Sequence, residues 1–330
     1  MPQNKQPKLV RISEKLQQNM QYVDELMGLE TNFDIIHRVI RLGDTDACMY
    51  LIDGFCKDEL MQKILQYLMD LKAEDFPKDA HEMSKIAIPY VEVDLDDTWE
   101  KILGALLSGV FVLLLDGYEK AVLIDARTYP ARGVEEPDKD KVLRGSKDGF
   151  VETVVFNTAL IRRRIRSTDL HMEMLNAGEN SRTDIVLCYM ESRVDPKLLT
   201  QIRERIRSIQ VDALAMNQES LAECLYQRKW YNPFPKFKYT ERPDTAAAQV
   251  LEGNLVILVD NSPSAMILPT TIFDVVEEAD DYYFPPVTGT YLRLTRFLIA
   301  LLTYFVTPTY LLLMNHRTVS YTHLRAHETL

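Results

Sequence analysis

The sequence predicts an α/β protein: two similar α/β subdomains in tandem, followed by one transmembrane α-helix. Three observations carry this reading. Two pairs of segments recur in the same order along the chain. Strand-like apolar runs alternate with amphipathic helical ones, and residues 297–314 read FLIALLTYFVTPTYLLLM without a charge.

Residues 1–29 form a polar lead-in whose amphipathic part, 11–27, predicts a helix. Residues 30–127 form the first subdomain and 168–270 the second. In the first, DACMYLIDGFCKDELMQKIL (46–65) resembles TDIVLCYMESRVDPKLLTQI (183–202) of the second: an apolar strand, a polar turn, then an amphipathic helix. Further on, GVFVLLLDGYEKAVLIDA (109–126) resembles GNLVILVDNSPSAMILPT (253–270), each a strand, an Asp-led turn and a second strand, which predicts a hairpin. The offsets, about 137 and 144 residues, keep the order. Between them lie YVEVDL (90–95) and IQVDALAM (209–216), both expected as strands, so each half reads strand–strand–helix–strand–helix–hairpin. Either the plan is a duplication, or two common α/β strand patterns coincide.

Residues 128–167 differ in character. A stretch rich in Pro, Gly and charge leads into NTALIRRRIRS, where Arg162, Arg163, Arg164 and Arg166 wrap most of one helical turn and cannot all face a core. Two readings stand: a solvated helix paired with Glu135, Glu136, Asp138 and Asp140, or a basic patch facing another domain or a partner. The stretch WYNPFPKFKYTERPD (230–244), with three prolines and several aromatics, is expected as an ordered, extended loop.

At 330 residues with 46% hydrophobic and 26% charged side chains, the chain can bury two cores. Its net charge of -11 disfavours a nucleic-acid binder, which needs a positive surface. Four cysteines without a CxxC pair favour free thiols in a reducing compartment, and the polar N-terminus shows no apolar leader.

No phosphate-binding loop, dinucleotide fingerprint or zinc-protease motif is present, so no cofactor is expected. His37, His81 and His171 stand alone in sequence. His323 and His327 have helical ligand spacing but make only half a metal site. Ser262 and Ser264 in DNSPS lack a nucleophile-elbow context and read as turn residues. Asp96 and Asp97 before Thr98 read as helix-capping acids.

The run 297–314 covers about 27 Å as a helix, near the thickness of a bilayer core. Its apolar residues favour insertion by roughly 3–6 kcal/mol. A buried helix of a soluble domain is the competing reading. Arg293 and Arg296 flank the run on its N-terminal side, across the juxtamembrane segment 271–296, which places the long N-terminal region in the cytoplasm.

Two long stretches resemble the signature of the GerA family, the A subunits of spore germinant receptors. They are EEPDKDKVLRGSKDGFVETVVFNTALIRRRIR (135–166) and YNPFPKFKYTERPDTAAAQVLEGNLVILVDNSPSAMILPTT (231–271). The matching positions are Glu136, Pro137, Asp138, Arg144, Gly145, Asp148, Gly149, Arg162, Arg163, Arg164, Asn232, Pro233, Tyr239, Thr240, Glu241, Arg242, Pro243, Asp260, Ser262, Pro263 and Ser264.

The resemblance spans about residues 30–314 and implies a non-enzymatic membrane subunit of the spore germination machinery, in the spore inner membrane. That subunit would serve a germinant receptor and ion-channel complex, or a branch that amplifies the signal through dipicolinate release. It implies structural or interface roles for the signature residues, an oligomeric assembly in the bilayer, and partners among receptor B- and C-type subunits or dipicolinate-channel proteins. The alternative is a membrane-anchored module that holds a small molecule in the cleft between its subdomains. Family members carry several membrane helices, so 297–314 is expected to be the first of them. VSYTHLRAHETL (319–330) resembles a translated sequencing adapter, which makes 315–330 an expected non-native tail.

Overall fold

The computed structural model describes residues 11–56, 58–71, 76–128, 148–226, 235–271 and 285–315. The chain divides into two compact units. One carries both α/β halves and ends at Pro269, and the other begins its main part at Thr270.

The first half runs α1 (Leu16–Met27), β1 (Ile35–Leu42), β2 (Thr45–Ile52), α2 (Asp58–Met69), α3 (Ala80–Ile86), β3 (Val93–Asp96), α4 (Trp99–Leu107), β4 (Phe111–Leu115) and β5 (Ala121–Ile124). The second runs α5 (Val154–Arg164), β6 (Leu170–Ala177), β7 (Thr183–Met190), α6 (Pro196–Arg207), α7 (Gln218–Leu225), β8 (Lys238–Thr240), α8 (Pro243–Glu252), β9 (Leu255–Val259) and β10 (Ala265–Leu268). The two sheets have one topology, fully antiparallel, in the orders β1-β2-β4-β5-β3 and β6-β7-β9-β10-β8.

Each sheet is covered on both faces, which is why β4, β5, β9 and β10 are buried at every position instead of alternating. In the first half, Leu16, Val23 and Met27 of α1 pack with Ile102 and Leu106 of α4 against Cys48, Tyr50 and Val112. Ile64 and Leu68 of α2 and Met83 of α3 cover the opposite face, against Met49 and Leu113. The second half repeats this, with α5 and α8 on one face and α6 and α7 on the other.

The likeness extends to single hydrogen bonds. Asn19 accepts from Ser13 N at 2.8 Å and donates to Ser13 O at 2.6 Å; Asn157 makes the same pair with Val151 at 2.8 and 2.6 Å. Both asparagines are buried. The Asp of each hairpin turn caps the opening helix of its own half: Asp116 accepts from Leu16 N, and Asp260 from Val154 N. Helix α1 is therefore the opening element of a repeat rather than a lead-in, and α5 is its counterpart, not part of a connector.

One expected strand is displaced. Residues 209–216 form no strand; Ile209, Val211 and Leu214 pack against α6 and α7 instead. The sheet edge beside β10 is taken by β8, inside the stretch expected as an extended loop. The alternation of IQVDALAM reports one apolar face, which a packed turn can also supply.

In the second unit, α9 (Pro286–Asn315) is long and apolar enough to cross a membrane from Val287 to Asn315. It begins eleven residues before the expected span at Phe297, so Arg293 and Arg296 lie within the helix. Pro308 sits inside it, and next to that break the Thr309 hydroxyl donates to Phe305 O at 2.7 Å. The expected tail, 315–330, lies outside the described residues beyond Asn315.

The two asparagine clamps predict matched stability losses. Asn19→Ala and Asn157→Ala should each lower the unfolding free energy of residues 11–271 by about 1–3 kcal/mol in urea titrations, because each leaves a partly buried N–H and C=O without their partner. Asn180→Ala, at an exposed site, should change it by about 0.5 kcal/mol or less.

Candidate functional site

The two sheets meet where the α1–β1 loop lies against α5 and the start of β6. Arg162 is fully buried and forms a two-pronged ion pair with Asp34: Nε to Oδ2 at 2.7 Å and Nη2 to Oδ1 at 3.0 Å. Its Nη1 donates to Ser167 O and Leu170 O at 3.3 and 3.2 Å. Asn32 accepts from Met172 N at 2.7 Å and donates to Met27 O, while Phe33 N donates to Met172 O.

His171 completes the junction. Its Nδ1 lies 3.0 Å from the Thr31 hydroxyl, and its ring stacks on Tyr189 at 5.8 Å. Gly28 ends α1 in the left-handed region (φ +57°), and a Cβ there would stand 2.8 Å from His171 Cε1. Glycine is therefore required twice over, for the turn and for the close approach. Burial lowers the His171 pKa below its ordinary value; Glu191, Asp169 and Asp34 pull the other way and Arg162 adds to the lowering.

Among the arginines the solvated-helix reading fails for Arg162. Arg163 is exposed, and Arg164 pairs with Asp148 at 2.5 Å and donates to Leu160 O. The acids 135–140 expected as partners lie outside the described residues, as do Arg144, Gly145, Asn232, Pro233, His323 and His327.

The remaining signature residues converge on the α5–α8 face and the hairpin turn of the second half. Gly149 is buried, and Phe150 N donates to Glu241 O at 2.9 Å, joining two signature stretches far apart in sequence. Thr240 closes β8, and Arg242, fully buried, precedes α8 with Pro243 in the first helical turn. The Arg242 guanidinium pairs with Asp244 at 2.5 Å. Tyr239 is exposed on β8 and lies 6.4 Å from the Phe237 ring. Ser262 and Ser264 both donate to Oε1 of Gln218, at 2.6 and 2.7 Å, with Pro263 exposed between them.

Thr98 N donates to Asp96 Oδ1 at 2.8 Å just before α4. The N-cap of that helix is Thr98, which makes no side-chain capping hydrogen bond, so the capping expected of Asp96 and Asp97 is not found there. All four cysteines are free, and burial pushes the Cys48 thiol up to about 11. Among the described residues no three His, Cys, Asp or Glu side chains are grouped to hold a metal ion. Sequence reasoning missed Asp34 and Asn32, and took His171 as a lone histidine without its place at the junction. The one signal was a lone acid directly before an apolar strand, in NFDIIH.

A family profile described as Bacillus/Clostridium GerA spore germination protein matches residues 21–325. The chain belongs to the GerA family. It is 38% identical over 299 residues to Stage V sporulation protein AF of Bacillus subtilis (strain 168), covering 90% of this chain and 60% of that protein. With Spore germination protein KA of the same organism it shares 27%, covering 90% and 55%. The crystal structure of the N-terminal domain of the A subunit of the Bacillus megaterium spore germinant receptor GerK3 superposes with a TM-score of 0.61 at 27% identity. That likeness covers 80% of this chain and 98% of that one. The chain spans about 60% of the length of the first curated relatives it matches.

Removing either partner of the junction pair should destabilise residues 11–271 strongly. Arg162→Ala or Asp34→Ala should cost about 3–5 kcal/mol by urea unfolding, and the double variant less than the sum of the two. His171 adds a pH dependence with a fixed sign. Its folded pKa lies below the unfolded value of about 6.5, so the unfolded chain binds the proton more tightly. The His171 contribution is full above about pH 6.5 and is lost as pH falls toward the folded pKa. Comparing urea midpoints at about pH 7.5 and 5.5 should show a smaller drop in His171→Gln than in the parent.

Proposed function

We propose that this protein is a membrane subunit of the spore germination machinery, with the α/β unit as its regulatory and assembly region and α9 as a membrane anchor. The observation that carries the reading is the GerA profile, which runs through both α/β halves and on across α9. The two halves joined at Arg162 and Asp34 are the switching element: a shift in their packing biases a membrane pore built from this subunit and its partners. Those partners are receptor B- and C-type subunits or dipicolinate-channel proteins. The arginines at 293 and 296, at the N-terminal end of the apolar run, support a cytoplasmic α/β unit and a site in the spore inner membrane.

Identity of 38% with Stage V sporulation protein AF, against 27% with the KA protein, supports the amplifying branch linked to dipicolinate release over the nutrient-receptor branch. The reading assigns no catalysis. Both hydroxyls of the DNSPS turn are donated to one amide oxygen, which makes them turn-locking groups. A small molecule held between the two subdomains has less support, because Arg162 and Asp34 pair with each other at the junction and Asn32 is taken up by Met172 N and Met27 O.

The chain should sediment with membranes and resist carbonate extraction; recovery in the soluble fraction would overturn the anchor. Deleting the gene in its spore-forming host should slow dipicolinate release after a germinant pulse. Release at the parental rate would overturn the germination role.

A further inference from the structure

The internal repeat exposes a second copy of the junction surface that the described residues leave unfilled. Leu16 and Val154 open their helices under equivalent caps, and Asn19 and Asn157 make equivalent clamps, each pair 138 residues apart. On that register Asp24 of α1 occupies the place of Arg162 in α5. The strands agree: Tyr50 pairs with His37 and Val112, as Cys188 pairs with Met172 and Val256.

In the second half this surface receives the α1–β1 loop: Met172 is buried beneath Asn32 and Phe33, and Arg162 meets Asp34. In the first half the equivalent His37 is exposed. Among the described residues Oδ1 of Asp24 is buried without a hydrogen-bond partner, and the buried hydroxyl of Tyr50, a side chain 1% exposed, has only the Cys48 thiol beside it. Val39, two residues along β1 on the same face as His37, is 51% exposed. A buried carboxylate oxygen left without a partner is costly unless something else supplies one.

We propose that the β1 edge beside Asp24 is a docking site for an extended segment of a different polypeptide, one that places an arginine or lysine on Asp24. The mode of docking is the one the molecule already uses internally, with the charges exchanged: the acid is on the helix and the cation comes from the incoming chain. Charge also argues against a second copy of this chain. The counterpart of Asp34 in the second half is Asp169, which also precedes its strand and also accepts a backbone N–H from the turn after the next strand (Glu191 for Asp169, Asp53 for Asp34). A copy docking by the same geometry would set Asp169 against Asp24, two like charges. This inference stands on the repeat and not on the germination reading.

The test places a photo-crosslinking residue at Val39, or at His37 as an independent position, in the full chain expressed in its spore-forming host. Crosslinked peptides are then sequenced. The expected adduct is a peptide of another protein that carries an arginine or lysine near the crosslink. Asp24→Arg should reduce its yield by about tenfold or more, with Asp24→Asn reducing it less, at unchanged protein level in the membrane fraction. Changing the partner's basic residue to glutamate should restore the yield with Asp24→Arg. Adducts only with this chain's own peptides, no adduct from either position, or a yield indifferent to both Asp24 variants would each overturn the proposal.

Discussion

Arg162 cannot shed its charge, so burying it obliges the protein to supply acceptors for its N–H groups. Four of the five are met: two by the Asp34 carboxylate and two by the carbonyls of Ser167 and Leu170. The carboxylate comes from the loop between α1 and β1, and the carbonyls from the turn between α5 and β6. One guanidinium thus ties the opening loops of both halves together. Desolvating such a pair offsets much of its attraction, so its contribution is geometric more than energetic. It fixes which loop meets which helix, and Asn32, Gly28 and His171 take their positions from that choice.

The repeat shows what the fold requires and what each half has altered. Both halves keep the buried asparagine and the aspartate that reaches from the hairpin turn to cap the opening helix. Those contacts close the α1-type helix onto its sheet and cannot be exchanged cheaply. The equivalent positions 24 and 162 differ in charge, aspartate in one half and arginine in the other, and Arg162 is buried by the loop that meets it. Residues inside each layer are held by packing, whereas those at the rim of a layer answer to whatever lies across from them.

The GerA signature gathers at one region of the second half. Phe150 bonded to Glu241, Arg164 to Asp148, Arg242 to Asp244 and the two serines to Gln218 together tie α5, α7, β8, α8 and the hairpin turn. These are short polar links between elements that the chain separates by up to about a hundred residues. Such links specify register and orientation, which apolar packing alone leaves loose.

The fold class, the paired halves, both hairpins, the helices after β2 and β7 and the charge-free span were legible in the sequence. Each is written in local periodicity, which a strand or helix imposes on its own residues. Periodicity does not say what lies across from a residue. That is why IQVDALAM read as a strand, why Arg162 could be read either as solvated or as facing another domain, why His171 read as a lone histidine, and why Asp34 drew no notice. The sequence by itself determined most of the elements, their order and the apolar span at 297–314. Only the tertiary structure decided that the two sheets form one unit and that a single buried guanidinium joins them, because both depend on contacts between residues 128 positions apart.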